Sequence, residues 1–491
     1  MTWWPWSHPK LTGAYPQGPG MLGRRRALFN PRFSPFRPMV LIVDSELLSS
    51  ASGDPRLRYL LELAAHAPVE AHLYAFDGTQ PTVAPSTAVD TGTVAYREWV
   101  VVRPQSDRRR HEAAFFRDGV PQVSPMLTDD SVFRQIAAKG QVMEEEATAL
   151  LVAKSLRADI LVTQRSFSVD SDSGYWRNTL VLSPNDTLPI VGLYLRCHDH
   201  YLIGQTPSLG APRSPAQSNK RDRSTFFWEA AQALLPFEAT WSFALRAHAS
   251  ETGNRALADL SRSIIWRFDQ VLRSRDRMLV LLAVVPQEHA PVDDILIEVD
   301  QILLFLMATL DITARITHAA LTLPGRPRDA GWQNEKWLES VEKKDEAIAA
   351  IFAEGTPGRQ VLDILRLLRN TIHAVAFSAH GMIPVVGDQA MQPLVPLPLA
   401  IRDKLLSAFN AHGNSQTWGV VQPFPDAEYH LRPGDFVEQL MHSVTSLLNE
   451  VMLTVTAERL AGAASGRLPG PTPRGHAEMR TLWQLGFNLA E

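Results

Sequence analysis

At 491 residues the chain is longer than one hydrophobic core usually organises, and 45% hydrophobic with 20% charged residues is an ordinary globular composition. A formal net charge of −4 excludes global attraction to nucleic acid, so any such binding must rest on local patches. The single cysteine, Cys197, excludes an intrachain disulfide and a multi-cysteine zinc site, and it points to a reducing, cytoplasmic setting. No charged stretch leads into an apolar core near residue 1, so no secretory signal is expected. The apolar run 302–310 is too short to span a bilayer.

Residues 1–37 read as a basic arm rich in tryptophan and proline, with Trp3, Trp4, Trp6 and Arg24-Arg25-Arg26 and no acid. Such an arm suits either nucleic-acid contact or packing of its tryptophans on a protein surface. From 38 to 204 strand-like and helix-like segments alternate. Met39-Val-Leu-Ile-Val43 is a short apolar run, the pattern of a strand buried on both faces, and 57–65 follows with helical spacing. Residues 71–76, 160–163 and 190–195 read as further strands, and 142–156 as a helix. This alternation predicts an α/β domain with a mainly parallel sheet. In an open parallel sheet ligands bind beyond the carboxyl ends of the strands. Asp44 takes that place after the first strand, and Glu144-Glu145-Glu146 lies on the helix before the strand at 160–163. Carboxylates meeting there could hold Mg²⁺ or Mn²⁺, or they could be no more than a turn and a solvated helix start.

Residues 205–223, rich in proline and serine, read as a linker. Beyond it, 224–490 is almost wholly helical in pattern, with helices expected at 225–247, 254–274, 291–320, 335–354, 361–377, 399–410 and 433–460 and a hairpin or extended loop at 380–398. The predicted fold class is therefore α/β plus all-α, a sheet domain followed by a helical bundle.

The helix at 361–377 carries the most informative pattern. At about 100° of rotation per residue, Val361, Ile364, Leu365, Leu367, Leu368 and Ile372 share one side, while Arg366, Arg369, Asn370 and His373 share a strip on the other. Fixed guanidinium charges beside one titratable imidazole suit phosphate chemistry. The strip is equally what a solvated helix face presents.

Arg369-Asn-Thr-Ile-His373 resembles the signature of the HEPN superfamily, helical domains in which an arginine, a polar residue and a downstream histidine form a ribonuclease centre. Arg366 precedes His373 with six residues between, the family spacing. Arg369 has three between but supplies the Arg-polar pair, so either arginine fits the role. The resemblance spans about 290–460 and implies metal-independent RNA cleavage, with His373 in proton transfer, an arginine stabilising the phosphate, Asn370 orienting, and a homodimer that brings two motifs together. The earlier domain is similar to PIN-like nucleases at Val40-Leu-Ile-Val-Asp44, at Glu146, and at Ala158-Asp-Ile-Leu-Val-Thr163. Where that family continues into a further acid, this chain has Gln164-Arg165. Together the two resemblances imply RNA processing, in defence or stress, with RNA as partner. The rival reading is a catalytically inactive nucleic-acid-binding or protein-interaction scaffold.

Overall fold

A computed structural model describes residues 38–47, 54–64, 69–75, 98–104, 111–117, 120–126, 149, 153, 158–165, 179–203, 219–253, 255–283, 290–374, 380–385, 388–422, 427–456, 459–460 and 476–487. The basic arm, Glu146 and most of the helix expected at 142–156 lie outside them. The chain divides into two compact units, Met1–Arg221 with Ala283–Val285 and Arg480–Glu491, and Asp222–Leu282 with Pro286–Met479.

The first unit is built on a seven-stranded sheet. Its strands are β1 (Met39–Asp44), β2 (Val69–Ala75), β3 (Glu98–Pro104), β4 (His111–Arg117), β5 (Val120–Met126), β6 (Ile160–Val162) and β7 (Leu180–Leu182), with α1 (Pro55–Ala64) between β1 and β2. The order is β5-β4-β3-β2-β1-β6-β7. β3, β2, β1, β6 and β7 run parallel, as predicted, and β4 and β5 extend the β3 edge as an antiparallel meander. β1 is buried along its whole length, which explains its unbroken apolar run.

One expected strand is a helix. Residues 190–195 lie inside α2 (Pro184–Cys197), where the side chains from Thr187 to Arg196 are all buried. An apolar run closed in on every side has no periodicity to separate helix from strand. The deciding signal stands upstream: Ser183 caps the helix by accepting from the Asp186 amide at 3.2 Å, Pro184 fills the first turn, and Asp186 complements the helix dipole. The chain then forms the pair β8 (Tyr201–Ile203) and β9 (Asn219–Arg221), the latter inside the expected linker. Although the sequence suggested a helical domain running to 490, the described residues Arg480 to Phe487 belong to this first unit. Arg480 pairs with Glu62 at 3.1 Å, and the Gln484 carbonyl accepts from Arg196 at 3.1 Å.

The second unit is a helical bundle with a small antiparallel sheet. Its first four helices are α3 (Arg223–Leu234), α4 (Glu238–Thr252), α5 (Ala256–Ala283) and α6 (Ala290–Ala320). The single helix expected at 225–247 is broken at Leu235-Pro236-Phe237, because proline removes a backbone donor and clashes with the preceding turn. Next come α7 (Glu335–Glu342) and α8 (Glu346–Ala350), which replace one long expected helix. Asp345 restarts the chain between them by accepting from the Ile348 amide at 3.1 Å. α9 (Pro357–Ala374), the hairpin of β10 (His380–Val385) and β11 (Asp388–Pro396), α10 (Arg402–Ala411), β12 (Val420–Val421), β13 (His430–Leu431) and α11 (Pro433–Thr454) complete the unit.

Polar contacts set how these helices meet. Trp241 on α4 donates to the Met452 and Val455 carbonyls at 3.0 and 2.9 Å, at the end of α11. Arg275 on α5 is fully buried and donates through Nε to Glu438 on α11 at 2.5 Å. Arg277 on α5 holds Glu298 on α6 through two bonds of 2.6 and 2.8 Å. Trp332 is anchored on the Leu310 carbonyl at 3.1 Å and stacks on Phe352 with centroids 4.2 Å apart, which secures the turn after α6. Among the described residues no helix is long and apolar enough to cross a membrane.

Two predictions follow from this packing. Gly358, in the first turn of α9, approaches so closely that an added Cβ would lie 2.5 Å from the Ile351 carbonyl oxygen and 3.0 Å from Leu447. Gly358→Ala should therefore lower stability by about 1–3 kcal/mol in denaturant unfolding. Glu238 is buried and accepts from Ser261 at 2.9 Å, and burial pushes its carboxyl from 4.5 up to about 7. The folded protein then binds a proton that the unfolded chain releases, so stability falls as pH rises through that window, by about 3 kcal/mol in all. Glu238→Gln keeps the acceptor and should flatten this part of the pH–stability curve; an unchanged slope would assign it to other groups.

Candidate functional site

α9 forms where the sequence places it, and its start is well made. Thr356 accepts from the Arg359 amide at 3.2 Å, and Pro357 stands at the first turn. Val361, Leu362, Ile364, Leu365 and Leu368 are buried, and Leu367 is half-buried at the margin rather than in the core. Opposite them Arg366 and Asn370 are exposed and Arg369 is half-buried. His373 lies in the last turn of the helix, and its side chain is outside the described residues. Among the described residues no carboxylate forms an ion pair with Arg366 or Arg369, whereas Arg359, two turns before Arg366, is paired with Asp363 at 3.2 Å.

Arg369 leads to residues that the stripe alone does not reveal. Asp311 on α6 is half-buried, and the positive charges of Arg369, Arg315 and Arg267 all act on it. Gln333 reaches its Oδ1 at 3.5 Å. Burial raises the Asp311 carboxyl pKa in spite of the Gln333 bond and the three guanidinium groups, all of which lower it. The charges that act on Asp311 thus come from three helices, Arg267 on α5, Arg315 on α6 and Arg369 on α9, and Gln333 lies in the turn after α6. The only periodic hint of this in the sequence is that Asp311 and Arg315 are one helical turn apart. What they face is settled by how the helices pack.

A second polar cluster lies at the other end of α9. The His412 ring reaches Gln360 at 3.3 Å and Ser443 at 3.1 Å, and it packs against Trp418 with centroids 5.6 Å apart. Burial lowers its pKa, helped by the neighbouring His442. Ser443 is buried, so this pairing clamps α9 to α10 and α11 and offers a substrate no nucleophile.

In the first unit, Asp44 sits at the carboxyl end of β1, as expected. Counted along the parallel strands alone, the order reverses between β1 and β6, the point in such sheets where ligands bind. Asp44 is buried and its oxygens are already engaged. Thr163 donates to Oδ2 at 2.8 Å, the Glu46 amide donates to Oδ1 at 3.1 Å, and Arg165 Nε lies 3.4 Å from Oδ2. Arg165 also pairs with Glu46. Burial raises the Asp44 pKa, opposed by Thr163, the Glu46 amide and Arg165. The guanidinium stands beside the carboxylate that a cation would need, and like charges repel. Among the described residues no group of three or more His, Cys, Asp or Glu side chains is arranged for a metal ion. Arg165, then, is a built-in counter-ion for Asp44. His198 and His200, two apart in the sequence, flank Asp199, whose φ of 58° puts it in the left-handed region. There the chain turns out of α2, so the two histidines do not lie along a strand.

No protein-family model, curated protein or solved structure matches the chain significantly.

Titrating Mn²⁺ into the purified protein is expected to reveal no tight site that Asp44→Ala removes. Arg165→Ala should raise whatever weak affinity exists, because it releases Asp44 and Glu46 together. A tight Asp44-dependent site in the wild type would overturn the assignment of Arg165 as the counter-ion.

Proposed function

We propose that the chain is a metal-independent ribonuclease whose centre is the polar stripe of α9. The observation that carries this reading is that Arg366 and Asn370 stand exposed beside a half-buried Arg369 on the face opposite the buried leucines. Fixed positive charge on an exposed helix face is what the phosphates of an RNA strand require.

The proposed chemistry is transesterification at a phosphodiester. His373 takes the proton of the ribose 2′-hydroxyl, whose oxygen attacks phosphorus. The bond to the 5′-oxygen breaks, and that oxygen leaves with a proton. Arg366 or Arg369 stabilises the negative charge that builds on the non-bridging oxygens, and Asn370 orients the phosphate or the imidazole. The resemblance to HEPN domains brings a homodimer into this proposal, with two stripes acting on one strand. In the first unit, Asp44 neutralised by Arg165 favours a second role for that domain: binding or regulation rather than metal-dependent cleavage.

The purified protein should cleave single-stranded RNA in EDTA. His373→Ala should abolish cleavage, and the arginine that acts should lose about 10²–10³-fold in rate on replacement by alanine, which distinguishes Arg366 from Arg369. Thermal unfolding of each variant should match the wild type. A wild type that cuts no RNA, or a His373→Ala protein that unfolds, would leave the stripe a structural face and favour the scaffold reading.

A further inference from the structure

The first unit takes a helix from far along the chain. Its seven-stranded sheet, with α1 and α2 packed against each other beside it, is built between Met39 and Cys197. No strand of that sheet comes from α12 (His476–Gln484), yet Arg480 to Phe487 belong to the same unit. Thr481, Leu482, Trp483, Gln484, Leu485 and Phe487 are all buried, Leu482 and Leu485 completely.

The contacts that hold this segment are side-chain contacts to α1, α2 and β8. Arg480 lies over the Tyr59 ring at 5.0 Å and pairs with Glu62 at 3.1 Å, while Arg56 lies over the Trp483 ring at 5.5 Å. Gln484 donates to the Tyr59 hydroxyl and to the Leu202 carbonyl, and its own carbonyl accepts from buried Arg196. Tryptophan, tyrosine and arginine are the residues that dominate the energy of interfaces between separate proteins. The segment also carries its own stop. The Phe487 amide donates to the Leu482 carbonyl at 2.9 Å, and Gly486 takes a φ of 83° to close the helix end.

Gly192 marks the contact on α2. A glycine inside a helix is destabilising relative to alanine, so its place there calls for a reason. A Cβ at 192 would lie 2.6 Å from the Gln484 carbonyl oxygen and 3.0 Å from the Gln484 Cα. Both are backbone atoms, so the segment itself would have to move.

We propose that Arg480–Phe487 is a docking strap, an intramolecular ligand that seats on the α1–α2 face at Gly192 and can leave it while the sheet stays folded. Release breaks side-chain contacts and leaves every ladder of the seven-stranded sheet intact, which is the condition for local opening. A helix of nine residues is marginal in water by itself, so α12 takes its helical form on docking. The partner that this face recognises is thus an amphipathic helix presenting Leu-Trp-Gln-Leu after an arginine, and the chain carries its own copy.

Hydrogen exchange in the full chain, followed by mass spectrometry under rising denaturant, tests the strap. Amides of 480–487 should lose protection at lower denaturant than those of β1 and β6. Loss of all of them together would make the segment an integral part of the core and overturn the proposal. Gly192→Ala should speed exchange at 480–487 about tenfold and leave β1 and β6 unchanged. No change at 480–487 would overturn Gly192 as the seat. Recognition is tested with a fluorescent peptide of residues 476–491 added to the full-length Leu482→Ala/Leu485→Ala chain, whose own strap is weakened. The peptide should bind, and Gly192→Ala in that receptor should weaken binding at least about tenfold. No binding by a receptor whose β1 amides keep wild-type protection, or binding indifferent to Gly192, overturns the docking face. The exchange measurement on the wild type needs no variant, so it decides the matter even where the double-alanine chain fails to fold.

Discussion

The second unit depends on one constraint: α9 must bury its leucines without burying its arginines. Val361, Leu362, Ile364, Leu365 and Leu368 are each 1% exposed or less, so the rotation of the helix about its axis is fixed within a narrow range. Turning it by one residue, about 100°, would drive a guanidinium into the core, and an unpaired buried charge costs several kcal/mol. Gly358 against Ile351 and Leu447 fixes the helix along its length, and His412 clamps the same end through Gln360 and Ser443. The rim of the bundle is where this leaves Arg366, Arg369 and Asn370. Arg369, nearest the margin, is half-buried, and its charge acts on Asp311 of α6.

The bundle that supports α9 is held by buried charge as well as by apolar packing. Arg275, with no solvent exposure, is matched by Glu438 on α11, whose pKa is raised by burial and lowered again by that same guanidinium. A hydrophobic pair of equal volume could be as stable, but a directional bond of 2.5 Å admits one register between α5 and α11. Trp241 adds a second directional tie through two carbonyls near the end of α11.

The first unit shows how a site-like position can be closed by its own residues. The order of its parallel strands reverses between β1 and β6, and Asp44 marks that point. Arg165, three residues beyond β6, returns to that carboxylate and to Glu46, so a cation of the protein itself occupies the position.

What the sequence determined by itself is local. The apolar run of β1, the acid at its end, the amphipathic helix at 361–374 and the arrangement of a sheet domain before a helical one all follow from periodicities that neighbouring residues carry. Even there, a fully enclosed segment such as 190–195 read as a strand, because an unbroken apolar run holds no phase; the capping serine and proline upstream held the answer. Proline at 236 and aspartate at 345 broke helices that hydrophobic spacing alone would continue. What only the tertiary structure decided is which charges meet. Arg267, Asp311 and Arg369 are separated by 44 and 58 residues, and no period links them. Their meeting depends on the packing of α5, α6 and α9, which is set by side-chain shape and volume in the core, and a linear reading of polar residues contains neither.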